Sequence, residues 1–353
     1  MGIGPRPRKL RARPNPHATR PSCLFGRAVR QNVAAMMRRT VPGLLLAAAM
    51  SLPATAAAAQ GETQGPPEAT VKIRPVNLDG GKARIMSTVR VKGTLSPFAP
   101  GHRVAVSFFL NGKPVKRTRV RVRQGKGGGG RFEARIRLEA AGRYAVSARH
   151  APTASLGGDS TVRKSWRVSF PSLHQGKCGP AVVGFKKAMR KMGYVANDGR
   201  CFGDKTARGV LAYRKVNGMT RSMRAGKGLV KRVFAGRGGY EVRHPGAGRH
   251  VEAPLSKQVL VFAKDDRPYA IYPISSGKSS TPTVTGHFTF IRTEPGYNSH
   301  GMYYSFYFYG GYAVHGYESV PDYPASHGCI RTFIADQPEI YNRIEFGEDI
   351  FIW

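Results

Sequence analysis

Negative charge is scarce in this chain: 20 Asp and Glu oppose 57 Lys and Arg over 353 residues, leaving a formal net charge of +37. That imbalance points to polyanionic surroundings: nucleic acid, an anionic membrane or a charged wall polymer. Cysteine is scarce as well, with four residues, which excludes a mini-protein held together by disulfides. A membrane-spanning run is missing too, since the apolar stretch Val41 to Met50 is too short, and too interrupted by Pro42, to make a stable transmembrane span. The 41% apolar and 22% charged composition is ordinary for a globular protein and excludes wholesale disorder. The length leaves room for two or three domains of about 100 to 200 residues each.

The positive charge is unevenly placed. Residues 1–40 hold 10 basic and no acidic residues, 66–171 hold 22 and 5, and 172–250 hold 18 and 3. Residues 251–353 reverse the sign, with 7 basic against 11 acidic. Within the first segment, Met37-Arg38-Arg39 precedes the run Val41 to Met50 and small residues ending Ala57-Ala58-Ala59-Gln60. Positive n-region, apolar h-region and A-x-A site in that order are those of a secretory signal peptide. Residues 1–60 are therefore read as an upstream extension plus signal peptide, with translation expected to start at Met36 or Met37; the alternative is an uncleaved N-terminal anchor. Export favours a disulfide between Cys178 and Cys201, which flank one short helical segment. Cys23 lies upstream of the signal, so Cys329 remains as a lone thiol.

Residues 66–171 read as strands. Val104, Val106, Phe108 and Leu110 alternate with other side chains and run into Asn111-Gly112, a hairpin signal. Phe132, Ala134, Ile136 and Leu138 alternate with Arg131, Glu133, Arg135 and Arg137, so one face is apolar and the other basic: either a solvated sheet face or an anion-binding one. Short, regularly spaced strands suggest an immunoglobulin-like β-sandwich. Over 172–235 the period becomes helical. Val182, Phe185, Met189 and Met192 mark one helix that Gly193 can end, Asp204 is the expected N-cap of a second, and Leu229, Val230, Val233 and Phe234 mark a third. With Gly193-Tyr194, Asp198-Gly199, Phe202-Gly203-Asp204-Lys205-Thr206 and Val216-Asn217-Gly218, this segment resembles the peptidoglycan-binding three-helix domain over about 60 residues. Lys186-Lys187 and Tyr213-Arg214 stand where that family usually shows Gln-containing pairs.

A Gly-rich, basic linker is expected at 236–249, leading to a mostly-β domain at 250–353 that holds 20 of the 34 aromatic residues. Strands are expected at 258–263, 269–274, 286–292, 303–309, 312–315 and 348–353, with a helix at 335–343. Val314-His315-Gly316 lies 14 residues before the cysteine of Ser326-His327-Gly328-Cys329-Ile330-Arg331. A thiol of ordinary pKa is little ionised at neutral pH and needs a base or a positive field to act as a nucleophile. Two histidines are at hand, and Gly316 and Gly328 can free space at the sulfur and turn N–H groups toward an oxyanion. The alternatives are that His315, His327 and Cys329 ligate a metal, or that Cys329 is an inert core residue.

These residues closely resemble the catalytic motif of the L,D-transpeptidases, the YkuD-like enzymes, with further matches at Ser276-Gly277, Thr281-Pro282-Thr283, Gly286-His287-Phe288, Asp336, Tyr341 and Gly347. The resemblance covers about 100 residues. It implies that Cys329 is the nucleophile and His315 the general base and acid. It also implies that Ser326, His327 and Gly328 shape the oxyanion side, and that the Gly316 carbonyl orients His315. Arg331 replaces an asparagine of some members and is carried over, with Tyr303 on an aromatic strand, as a substrate contact. The implied substrates are peptidoglycan stem peptides and glycan, attacked between a diamino acid and a D-alanine through a thioester, with no metal or other cofactor. Anionic wall polymers are a further candidate partner, whereas nucleic acid sits poorly with export. Other readings keep the site but change the acceptor, giving an L,D-carboxypeptidase or a protein-to-wall ligase, or make the chain a catalytically inactive wall-binding protein.

Overall fold

The computed structural model describes residues 65–125 and 127–353; the expected upstream extension, the signal peptide and Cys23 lie outside them. The first ten strands are β1 (Thr70–Val76), β2 (Lys82–Arg84), β3 (Thr88–Ser96), β4 (Arg103–Leu110), β5 (Lys113–Arg121), β6 (Arg123–Gln124), β7 (Gly130–Arg137), β8 (Gly142–His150), β9 (Asp159–Ser160) and β10 (Lys164–Ser169). They form two sheets, ordered β1-β3-β7-β6 and β2-β10-β8-β4-β5, with β9 paired to β8. The two sheets enclose one core containing Val91, Val106, Phe108, Ile136, Val146 and Trp166. Alternation puts them there: along β7, Phe132, Ala134 and Ile136 are buried while Arg131, Arg135 and Arg137 are exposed. Asn111-Gly112 joins β4 to β5 with both residues at positive φ, the twist a two-residue hairpin turn requires.

Three helices follow: α1 (Pro180–Lys191), α2 (Asp204–Val216) and α3 (Lys227–Phe234). The end of α1 shows why its boundary was legible. Gly193 takes φ +85, Tyr194 N–H donates to Met189 O at 3.1 Å and Gly193 N–H to Arg190 O at 3.0 Å, so the last carbonyls are satisfied by a left-handed cap. A side chain at 193 would also meet Pro268 O at 2.7 Å, so this turn seats the helix against the next domain. Asp204 is the first residue of α2 rather than its cap; Gly203 caps, and Asp204 supplies negative charge to the first turn while accepting from Gln175. Cys178 and Cys201 are joined in a disulfide across α1, closing a loop of 23 residues and stabilising the fold by about 3 kcal/mol in the chain-entropy account.

The remaining elements are β11 (Arg249–Ala253), β12 (Val259–Lys264), β13 (Arg267–Pro273), β14 (Gly286–Thr289), β15 (Arg292–Tyr297), β16 (Tyr303–Tyr309), β17 (Tyr312–Tyr317), β18 (Ile330–Phe333), α4 (Gln337–Tyr341) and β19 (Asp349–Ile352). They form a sheet ordered β13-β12-β11-β19-β14 and a second ordered β15-β16-β17-β18. The run Val259 to Ala263 is buried at every position because its sheet is covered on both faces. Val259, Val261 and Ile271 pack with α1, α2 and α3, whereas Leu260, Phe262, Ala270 and Tyr272 face the second sheet. The helices are thus one layer of the same packed body as the sheet β13-β12-β11-β19-β14. Two buried polar links cross this seam: Arg208 of α2 grips Asp336 with bonds of 2.5 and 2.7 Å, and Lys215 Nζ donates to Ile274 O at 2.7 Å. Burial pushes the Lys215 ammonium down to about 7.

Several expected boundaries shift. Residues 236–249, expected to be a linker, run as a docked strap: Tyr240 Oη donates to Glu252 at 2.7 Å, and His244 stacks on Phe351 with ring centroids 4.0 Å apart. The single strand expected at 286–292 splits into β14 and β15, which belong to different sheets. Its break falls at Phe290, which is fully buried and donates its N–H to Glu348 O. The helix expected at 335–343 contracts to the five residues of α4. Asp336, at the start of the helix expected at 335–343, makes no cap bond and pairs with Arg208 instead.

Candidate active site

The site grows from the parallel pair β17 and β18. Val314 lies opposite Ile330 and His315 opposite Arg331, so the pairing brings the histidine strand alongside the segment that carries Cys329 immediately before β18. Parallel neighbours cannot be joined by a tight turn. The long excursion from 318 to 329 supplies the connection and ends in the turn Ser326 to Cys329.

That turn is held from several sides. Ser326 N–H and Ala325 N–H both donate to Ser276 O at 2.9 Å, Lys278 N–H donates to Ser326 O at 3.0 Å, and Thr281 Oγ1 also donates to Ser326 O at 3.0 Å. Ser326 Oγ donates to Cys329 O at 2.5 Å and accepts from Gly328 N–H at 3.1 Å. Ser326 therefore folds the turn and is itself 1% exposed. Gly328 N–H is spent on Ser326, so it is not the oxyanion donor expected of it. Gly328 is needed for its backbone, which sits at φ +120, and for the Tyr312 ring, whose nearest carbon would lie 2.6 Å from an added Cβ. Gly316 has a packing part besides the carbonyl expected to face His315. It sits inside β17 against Gln337, whose Cβ would lie 3.0 Å from an added side chain, so it serves close packing.

His315 is 2% exposed and its Nδ1 lies 2.9 Å from Gly316 O. A carbonyl can only accept, so Nδ1 carries the proton and Nε2 keeps its lone pair. Burial, reinforced by the nearby Arg331 charge, lowers this imidazole from the usual 6.5 to about 4 against the opposing pull of the Gly316 bond. Cys329 is half-buried, with Sγ 3.6 Å from Gly311 O. Burial pushes its thiol up, against the Ala313 N–H and the Arg331 charge, which favour the thiolate. At rest the Cys329 thiol, directed at Gly311 O, and the His315 imidazole are therefore both neutral.

The other expected residues are placed less centrally. His327 is exposed, with Nε2 3.4 Å from Lys278 Nζ, and so sits at the surface rather than with His315. Arg331 stacks its guanidinium 4.0 Å over the Tyr317 ring, while Tyr303 packs against Tyr297 and Tyr304 with centroids 4.5 and 4.7 Å away. Among the described residues no three His, Cys, Asp or Glu side chains cluster to hold a metal. Gly311 and Ala313, which touch the sulfur, Tyr312, which packs over Gly328, and Lys278, which holds the turn at Ser326, were not singled out from sequence, since nothing in a strand-and-turn pattern marks them.

Residues 248–352 match the family model of YkuD, the L,D-transpeptidase catalytic domain. No curated protein matches the chain. Among solved structures, it is similar to an L,D-transpeptidase from Xylanimonas cellulosilytica at 28% identity, covering 52% of this chain and 98% of that one with a TM-score of 0.47. It is also similar to an L,D-transpeptidase from Enterococcus faecium at 24% identity, covering 36% and 62% with a TM-score of 0.28. A third, an L,D-transpeptidase from Mycobacterium smegmatis, has 13% identity over 80% of this chain and 99% of that one, with a TM-score of 0.27. Among the described residues no helix is long and apolar enough to cross a membrane.

The unit that residues 248–352 form carries a pH signature that its histidine dictates. Because His315 resists protonation down to about 4, the unfolded chain binds more protons than the folded one between 6.5 and that value. Stability is thus fully present above about 6.5 and falls toward pH 4 by up to about 3 kcal/mol. Urea unfolding across this window is expected to show that loss, and the His315→Gln variant to lack that part of it. Equal slopes in the two proteins would show that His315 titrates normally.

Proposed function

We propose that this chain is a peptidoglycan L,D-transpeptidase that works through a thioester on Cys329. The observation that carries the reading is the half-buried Cys329 thiol on the segment entering β18, which pairs with the strand β17 that holds a buried, neutral His315 whose Nδ1 proton is anchored on Gly316 O. In the proposed reaction His315 takes the thiol proton as sulfur attacks the carbonyl between the diamino acid and the terminal D-alanine. The C–N bond breaks, the proton passes to the departing D-alanine amine, and the acyl group remains on sulfur. An amine of a neighbouring stem then attacks the thioester, loses its proton to His315 and leaves an amide cross-link with the thiol restored. Two neutral partners suit this work, because the base is ready at neutral pH and charge appears only as the bond forms. Arg331, whose charge favours the thiolate, steadies the sulfur as the proton leaves.

The preceding units fit an exported wall enzyme. The two-sheet unit is proposed as an immunoglobulin-like module and the helical unit as a peptidoglycan-binding-like one, with division points near 171 and 235. Their charge, 40 basic residues against 8 acidic over 66–250, would hold the enzyme on an anionic matrix outside the cytoplasm. The test is incubation of purified protein with tetrapeptide muropeptides and separation of the products. Cross-linked dimers with release of D-alanine are expected. Trimmed tripeptide without dimers would reassign the enzyme to carboxypeptidase chemistry, and no turnover at all would make it a wall-binding protein.

A further inference from the structure

The two-sheet unit carries a cleft of about 1010 Å³ over the outer face of β1, β3, β7 and β6, closed on one side by the end of β5. Lys72, Arg74, Lys92, Arg121, Arg123 and Arg131 line it, and none of the six has an acidic partner within salt-bridge distance among the described residues. One carboxylate is present, Glu133, and Arg135 already holds it at 2.8 Å. Just beyond, Arg90 Nε is buried without a hydrogen-bond partner.

Folding alone does not call for this arrangement. Arg74 lies directly opposite Lys92, Arg123 opposite Arg131 and Arg90 opposite Arg135. Like charges facing each other across a sheet are destabilising, and three such pairs share one face. Cationic rows running across adjacent strands stand about 4.8 Å apart, and along one strand same-face residues recur at about 6.8 Å. Guanidinium forks and ammonium groups at these intervals suit a flexible chain with a repeating anion.

From this we infer that the cleft binds a phosphodiester-linked polymer of the cell envelope, lying across the strands. This rests on the wall location proposed above and names the matrix that the two-sheet unit grips. A single-stranded nucleic acid is disfavoured because such sites need aromatic platforms for the bases. The cleft's one aromatic side chain, Phe132, is 5% exposed with its ring over Gly93. A membrane surface is disfavoured because the cations line a concavity and no exposed apolar side chain stands among them to enter lipid.

The test measures binding of the full chain to fluorescent poly(glycerol phosphate) between 50 and 200 mM salt. The variant Arg74→Thr/Lys92→Thr/Arg131→Thr removes three cleft charges, and Lys187→Ala/Lys191→Ala/Lys231→Ala removes three exposed charges from the helices. The cleft variant is expected to bind at least tenfold more weakly at 50 mM, with a salt slope shallower by about 2, since each contact to a single-stranded polyanion contributes about 0.7. The helix variant is expected to bind nearly as the parent does. Thermal unfolding checks that the cleft variant is folded, and Lys72→Thr/Arg123→Thr provides a second, smaller perturbation of the same face. Unchanged binding by both cleft variants, or equal losses in the helix variant, would overturn the assignment. So would tighter binding to single-stranded DNA or to phosphatidylglycerol vesicles at matched salt. Muropeptide cross-linking in free solution is expected to be unaffected by the cleft variant, so failure of this inference is distinguishable from failure of the transpeptidase reading.

Discussion

Cys329→Ala is expected to abolish cross-linking and D-alanine release, with a fall of at least about 10⁴-fold, since the bond-forming atom itself is removed. Intact-mass spectrometry after mixing with tetrapeptide donor is expected to show the acyl adduct on the parent and none on this variant. His315→Gln should behave differently. Loss of a general base costs about 10²- to 10⁴-fold, but the sulfur remains, so an adduct still forms slowly. Burial holds the thiol in its protonated form, so without His315 the reaction depends on the small thiolate fraction. The deficit of the glutamine variant should therefore shrink as pH rises, while in the parent the acid limb of kcat/KM should lie near pH 4, where His315 finally protonates. A deficit that stayed constant with pH would leave His315 as a structural residue, and an adduct on Cys329→Ala would remove the thioester from the mechanism.

The sequence marks these two residues because their chemistry is rare and their spacing tight: a lone thiol beside two histidines and two glycines admits few other readings. It was less informative about the neighbours. The parts of Ser326 and Gly328 became visible only through their mutual hydrogen bond, which turns an expected oxyanion donor into a turn-forming group. His327 stands between two small residues in the motif yet points to Lys278, a direction the strand period cannot give because the turn interrupts it. In the fold, alternation located β7, and helical spacing located α1, whose buried faces follow from one period. The split between β14 and β15 was not legible. Gly286 to Arg292 reads as one strand, and only the second sheet, which pulls β15 away after Phe290, divides it. The strap at 236–249 misleads for a related reason. Gly and basic residues look like a linker until Glu252, a buried carboxylate on β11, gathers Tyr240 Oη and the N–H groups of Arg243 and His244.

Asp336→Ala is expected to produce the largest loss of stability, about 3 to 5 kcal/mol, by leaving the Arg208 guanidinium buried without its partner. The carboxylate is 2% exposed and Arg208 9%, so water cannot replace the lost bonds without opening the seam between α2 and the residues that precede α4. In a body of this size the loss corresponds to a fall in Tm of roughly 6 to 20 °C. Replacing both partners separates the charge from the packing: Arg208→Met with Asp336→Leu removes two buried charges together and should recover most of the loss. The effect should extend beyond the seam. Gln337 follows Asp336 directly and donates to Tyr304 O at 2.6 Å, while Thr332 Oγ1 lies 3.1 Å from His315 O and also contacts Gln337, so α4 braces the strand that carries His315. Helices and the β11–β13 sheet share Val259, Val261 and Ile271 in one core, so both should melt in a single transition in the parent and in the Asp336→Ala variant alike. A shift below about 2 °C would mean that the ion pair is solvated despite its burial. Two separate transitions would mean that the helices are a tethered module after all.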